Sequence, residues 1–118
     1  MPKYFTMCEF RQLYFHNDGY IVCCKNCNYY QLGYAGIMLT LKETDFKILQ
    51  KLVKQKLMEE YDSPDEYIKQ VVLPTAYAGV NMLPTIKELQ QFNRMLEEAD
   101  AEITALAMLN LFAHPQNH

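Results

Sequence analysis

The sequence predicts an α+β domain in two layers, a mostly antiparallel sheet of hairpins with two helices on one face. Three observations predict it. Short alternating runs rich in β-branched and aromatic residues fill the chain before Leu41 and recur between Tyr67 and Leu83. Two longer stretches, from Glu43 and from Thr85, space their apolar residues three and four apart. Each of these stretches follows a hairpin with a glycine-containing turn.

Taken in order, Gln12–His16 alternates and is the first strand. Asn17-Asp18-Gly19 makes a three-residue hairpin loop, and Tyr20–Cys24 returns. With His16 opposite Tyr20, Leu13, Phe15, Ile21 and Cys23 share one face, and Tyr14, His16, Tyr20, Val22 and Cys24 share the other. Cys23 is then a core residue and Cys24 belongs to the polar-aromatic face. Lys25-Asn26 turns the chain into a third strand, Cys27–Leu32, and the turn at Gly33–Gly36 leads to a fourth, Ile37–Leu41. Thr40 and Glu43 have the spacing of a capping box for a helix over Glu43–Tyr61, whose buried stripe is Phe46, Leu49, Val53 and Leu57. After a break at Tyr61–Asp65, Tyr67–Leu73 and Val80–Leu83 read as strands five and six around the turn at Pro74–Gly79. Pro84-Thr85 opens the second helix, with Thr85 as its cap, and the helix ends near Phe112–His114.

A shift of 43 residues lays Tyr34-Ala35-Gly36 on Tyr77-Ala78-Gly79, with matching apolar positions through Val53 and Leu96. Either a ββα duplication, with units at about 20–61 and 64–114, or chance produces this match; the ββα reading rests on periodicity and holds in both cases.

At 118 residues the chain makes one domain, 1–118, and half of its residues are apolar. Such a chain buries about two thirds of its unfolded surface, so neither a disulfide nor a metal is needed for folding. The net charge of −3 argues against a nucleic-acid binder held by phosphate contacts. No apolar run reaches the about 18 residues of a membrane span. The first residues carry no hydrophobic leader core, so a cytoplasmic location is expected, with the four cysteines as thiols or metal ligands.

Chemistry concentrates in Cys24-Lys25-Asn26-Cys27. Two thiolates two residues apart at a hairpin apex make half of a tetrahedral zinc site. Asn28 stands where zinc knuckles usually carry glycine, and Asn tolerates the left-handed conformation. Cys8 is the third ligand the strand pairing brings closest, leaving the fourth to His114, His118, water or a second chain. His16 sits at the far end of its hairpin, over about 10 Å away at about 3.3 Å per residue. The same pair could cycle as a thiol–disulfide couple, although a hairpin apex lacks the helix N-terminus that lowers a thiol pKa. The plain alternative is that these cysteines are small apolar residues beside a turn.

The second helix keeps a three-four stripe through Leu89, Phe92, Leu96, Ala99, Ile103, Leu106, Asn110 and Ala113. Its tail, Leu106–Phe112, is apolar nearly all round and needs a cover. A homodimer through Leu96, Ile103, Leu106, Asn110 and Phe112 is one cover; the chain's own sheet is the other. Lys47, Lys51 and Lys54 on the first helix, and Glu97, Glu98, Asp100 and Glu102 on the second, read as solvated faces. No phosphate loop, nucleophile elbow or His-Glu-x-x-His is present, and nothing pairs a base with a nucleophile, so no feature supports an enzyme.

The run His16-x-x-Gly19-Tyr20-Ile21-Val22-x-Cys24-x-x-Cys27-x-x-x-Gln31-Leu32, followed by Leu39-x-Leu41-x-x-x-Asp45-Phe46, resembles a family of small bacterial proteins known only as a domain of unknown function. The likeness extends through Leu73-Pro74-Thr75 and the helix with Glu88-Leu89 and Leu96–Ala99. It implies a small cytoplasmic protein, assigns no activity, and supplies no catalytic residues. The leading expectation is a non-enzymatic interaction module that self-associates through its last helix, with an unidentified protein as a further partner. The alternatives are a zinc protein using Cys8, Cys24 and Cys27, and a thiol-redox protein using Cys24 and Cys27.

Overall fold

The computed structural model describes residues 9–59, 68–69 and 71–113. Strands β1 (Phe10–His16), β2 (Gly19–Cys24), β3 (Tyr29–Tyr34) and β4 (Ile37–Lys42) form one antiparallel sheet in the order β1-β2-β3-β4. Helix α1 (Glu43–Glu59) lies over β3 and β4, and helix α2 (Ile86–Ala113) lies over β1 and β2. The helices also touch each other, so both occupy one face of the sheet. Between them in sequence, β5 (Leu73–Pro74) and β6 (Asn81–Met82) make a separate two-stranded ladder. The α+β architecture is thus the expected one, with the sheet divided four and two.

The core follows the pleat. Tyr14, Ile21, Leu32 and Leu39 stand in one cross-strand row, and Cys23, Tyr30 and Leu41 in the next. Onto them α1 lowers Phe46, Leu49 and Val53, while α2 lowers Leu89, Phe92, Leu96 and Ala99. Two ring pairs join sheet to helix: Tyr30 stacks on Phe46 at 4.9 Å and Tyr34 on Phe92 at 5.0 Å. Such offset pairs add about 0.5–1.5 kcal/mol each beyond the area they bury.

The first hairpin departs from its expected register. His16 pairs with Gly19, so the turn holds two residues, Asn17 and Asp18. Further along, Gln12 pairs with Val22 but Tyr14 with Ile21, which leaves Leu13 as a β-bulge. One extra residue reverses the alternation beyond it. Tyr14 and His16 therefore face α2 together with Ile21 and Cys23, and Phe15 joins Tyr20 and Val22 on the open face. Leu13 and Tyr14 are both buried, as the bulge allows. Cys23 packs, half-buried, against the core, whereas Cys24 on the opposite side is fully buried. The expected order of burial is inverted.

The helix starts differ as well. Thr85 caps α2 reciprocally: the Glu88 N–H donates to Thr85 Oγ1 (3.0 Å), and the Thr85 N–H donates to Glu88 Oε1 (2.9 Å). The Lys69 ammonium, then the Thr85 N–H, hold the Glu88 carboxyl below its usual range. Thr40, expected to cap α1, instead lies within β4 opposite Gln31, and its carbonyl accepts the Tyr77 hydroxyl. β4 runs directly into α1, whose first turn relies on Glu43 and Asp45 beside its positive end.

The expected fifth strand begins at Tyr67, outside the described residues. Val71 and Leu73 are buried and Val72 is exposed, and the ladder covers only Leu73 and Pro74. The two Tyr-Ala-Gly turns also differ. Ala35 and Gly36 both have positive φ (53° and 78°), the pattern of a two-residue hairpin turn, whereas in Tyr77-Ala78-Gly79 only Gly79 does.

On the open face, Phe15, Tyr20, Gly33 and Met38 stand in one row. The Tyr20 ring lies flat on Gly33, where an added Cβ would meet a ring carbon at 2.3 Å. Gly33→Ala should therefore cost about 1–3 kcal/mol in urea unfolding by expelling that ring. In a Tyr20→Ala background the same change should be close to neutral. Equal costs in both backgrounds would show that the ring is not what excludes a side chain there.

Candidate functional site

The thiol turn is built by β2 running out at Cys24. The Asn28 N–H donates to the Cys24 carbonyl (3.0 Å), closing a single helical turn over Cys24–Asn28. Asn28 ends it with φ 60°, the left-handed conformation anticipated at that position. The Lys25 N–H donates to the Glu9 carbonyl (2.9 Å), which ties the turn to the segment before β1. Cys24 and Cys27 thus belong to one turn, Cys24 fully buried and Cys27 half-buried. Burial pushes the neighbouring Cys23 thiol up, against a hydrogen bond with Tyr30, so Cys23 is a poor nucleophile. Cys23, Cys24 and Cys27 form no disulfide with one another.

Among the described residues no three His, Cys, Asp or Glu side chains gather in a way that could hold a metal ion. Cys8, His114 and His118, named as further ligands, lie outside the described residues. His16 lies at the opposite end of the hairpin: it pairs with Gly19, while Cys24 pairs with Phe10.

The α2 stripe divides in two. Leu89, Phe92, Leu96 and Ala99 are fully buried in the chain's own core, and Ile103 and Leu106 pack at its edge, half-buried. Beyond them Met108, Leu109 and Leu111 are 54, 64 and 60% exposed, with Asn110 exposed among them. Leu96 is therefore already used within the chain, and the Phe112 side chain lies outside the described residues. On α1, Lys47, Lys51 and Lys54 border a shallow hollow with Asp100, and Lys47 pairs with Glu43 at 3.4 Å.

A third place was not legible in the sequence. Between the β1–β2 turn and α2 lies an open cleft of about 640 Å³. Its hairpin wall carries Phe15, His16 and Asp18, and its helix wall Gln91, Arg94 and Glu98. The Tyr14 hydroxyl, shared between both Asp18 carboxylate oxygens (2.8 and 2.9 Å), fixes the turn, and the His16 ring lies 4.6 Å from the Tyr14 ring. The Tyr34 hydroxyl donates to the Glu88 carbonyl (3.0 Å) and lies 2.6 Å from the Gln91 side-chain amide. The two walls are more than seventy positions apart in the chain, and only the spacing of Gln91, Arg94 and Glu98 along one helix face hints at a site.

The fold is that of a small α+β domain with a thiol turn at one end of its first hairpin and a polar cleft at the other. Residues 7–113 match the model of a family of unknown function, DUF6686, and the chain belongs to that family. No curated protein and no solved structure matches it. Among the described residues no helix is long and apolar enough to cross a membrane.

The hydroxyls of Tyr14, Tyr30 and Tyr34 are pushed from 10.0 up to about 12, burial leading in each case, with Asp18 adding to the shift at Tyr14. The fold favours their neutral forms, so this stabilisation is complete below pH 10 and is lost as the pH rises toward 12. Phenolate absorbance should show at least three of the nine tyrosines ionising late, together with loss of far-ultraviolet dichroism. Nine tyrosines titrating together near pH 10.0 in a folded protein would contradict the assignment.

Proposed function

We propose that the protein is a non-enzymatic interaction module that self-associates through the C-terminal end of α2. The observation that carries this reading is the exposure of Met108, Leu109 and Leu111 within a stretch, Ile103–Ala113, that holds no charged residue. Apolar surface of this kind is worth about 25 cal/mol per Å² when removed from water. A second copy offers the same uncharged helix end, and Asn110, set among leucines, can fix the register of two such helices. Ile103 and Leu106 extend the contact back to the edge of the core, so the helix end is held at a defined angle. The cytoplasmic setting expected from the sequence suits a surface of this type and cysteines that form no disulfide with one another.

Size-exclusion chromatography with light scattering should give a dimer for the unaltered chain. Leu109→Asp combined with Leu111→Asp should give a monomer with unchanged dichroism, because both side chains stand clear of the core. A monomeric unaltered chain at high micromolar concentration would end this reading.

A second reading rests on a different observation, the single helical turn over Cys24–Asn28 closed by a left-handed Asn28. This arrangement suits a half-site for zinc, with Cys24 and Cys27 as two ligands and Cys8 as the third. Native mass spectrometry of untagged protein purified without added metal should then show one zinc per chain. Cys27→Ser, at the half-buried position, should remove it. Metal-free protein of unaltered stability in the presence of a chelator would reduce Cys24 and Cys27 to packing residues.

A further inference from the structure

The cleft between the β1–β2 turn and α2 plays no part in either reading above, and it has the features of a ligand site. Its volume of about 640 Å³ falls within the range of about 300–1,000 Å³ usual for small-molecule sites. Its walls are held in place: Asp18 by the Tyr14 hydroxyl, and Gln91 by the Tyr34 hydroxyl. Tyr14 and Tyr34 are themselves buried, so the fixed geometry is inherited from the core.

The charges select the ligand. Arg94 shares the cleft with Asp18 and Glu98, yet among the described residues it makes no ion pair. A simple anion drawn to Arg94 meets two carboxylates, and a simple cation drawn to those carboxylates meets the guanidinium. A molecule carrying both signs satisfies each wall. His16, exposed on the α2 side of the hairpin, adds a ring surface for the remainder of such a molecule.

We propose that this cleft binds a small zwitterion, a free α-amino acid. Arg94 takes the carboxylate by its planar pair of N–H donors. The ammonium lies against Asp18 on the hairpin wall and Glu98 on the helix wall. The side chain rests on His16.

The test uses the full chain, ¹⁵N-labelled, titrated with a panel of free amino acids: glycine, leucine, phenylalanine, glutamate and lysine. One or more should shift the amides of Phe15–Asp18 and Gln91–Glu98 saturably. The N-acetyl and the carboxamide derivatives of the same amino acid should each bind about tenfold more weakly or worse, since each lacks one of the two charges. Arg94→Gln and Glu98→Gln, both at exposed positions, should weaken binding by about tenfold while leaving the remaining spectrum in place. The proposal fails if no amino acid gives a saturable shift up to about 10 mM, a concentration that still detects contacts weaker than millimolar. It also fails if the blocked derivatives bind equally well, or if Arg94→Gln binds like the unaltered chain. Binding of inorganic phosphate or acetate with equal affinity would replace the zwitterion by a plain anion and overturn it too.

Discussion

With Gln12 paired to Val22 and Tyr14 to Ile21, Leu13 has no opposite residue on β2, and β1 exchanges its faces at that point. The rest of the structure depends on this. Tyr14 enters the row that ends on Leu39, and its hydroxyl reaches Asp18 in the turn. His16 comes to the helix side and lines the cleft with Arg94, while Phe15 goes to the open face beside Tyr20. Without the bulge, Phe15 would stand toward α2 and Tyr14 toward solvent, and neither the cleft nor the Tyr14–Asp18 bond could form.

The second helix shows how one pattern serves two environments. Its three-four stripe is continuous in sequence, but full burial along it ends at Ala99. Up to that point each apolar residue removes area from water within the chain. Past it Ile103 and Leu106 pack half-buried at the core edge, and off the stripe Met108, Leu109 and Leu111 project outward. At about 1.5 Å per residue a 28-residue helix reaches about 42 Å, longer than the strand β1 beneath it, seven residues at about 3.3 Å each. The overhang is therefore a geometric consequence of helix length, and its apolar composition is the feature that calls for a partner surface.

The first hairpin's partly wrong register and the correct placing of Thr85 have the same physical origin. Thr85 and Glu88 interact within one turn, so their spacing alone specifies both hydrogen bonds. The Asn28 conformation is equally local, a property of a residue type that accepts positive φ. The bulge at Leu13 is not: Leu13, Tyr14 and Phe15 are all good strand residues, and nothing in them states which two must share one partner. Thr40 failed as a cap for a related reason, since pairing with β3 carried β4 past it to Lys42. The cleft lay further out of reach, because Asp18 and Arg94 are brought together only by the packing of β1 on α2.

The sequence by itself determined the α+β class, the antiparallel order of the first four strands, the buried parts of the helix stripes, the α2 cap and the left-handed Asn28. All of these arise from periodicity or from contacts a few residues apart, where spacing is geometry. The thiol turn, expected at Lys25-Asn26 with Cys27 in a strand, instead runs through Cys27 to a third strand that begins at Tyr29. Tertiary structure alone decided which face of β1 is buried, that Cys24 is enclosed more completely than Cys23, where burial along α2 ends, and that a cleft joins the hairpin turn to Arg94. These depend on pairings between segments distant along the chain, in which a shift of one residue changes the outcome while leaving every local preference satisfied.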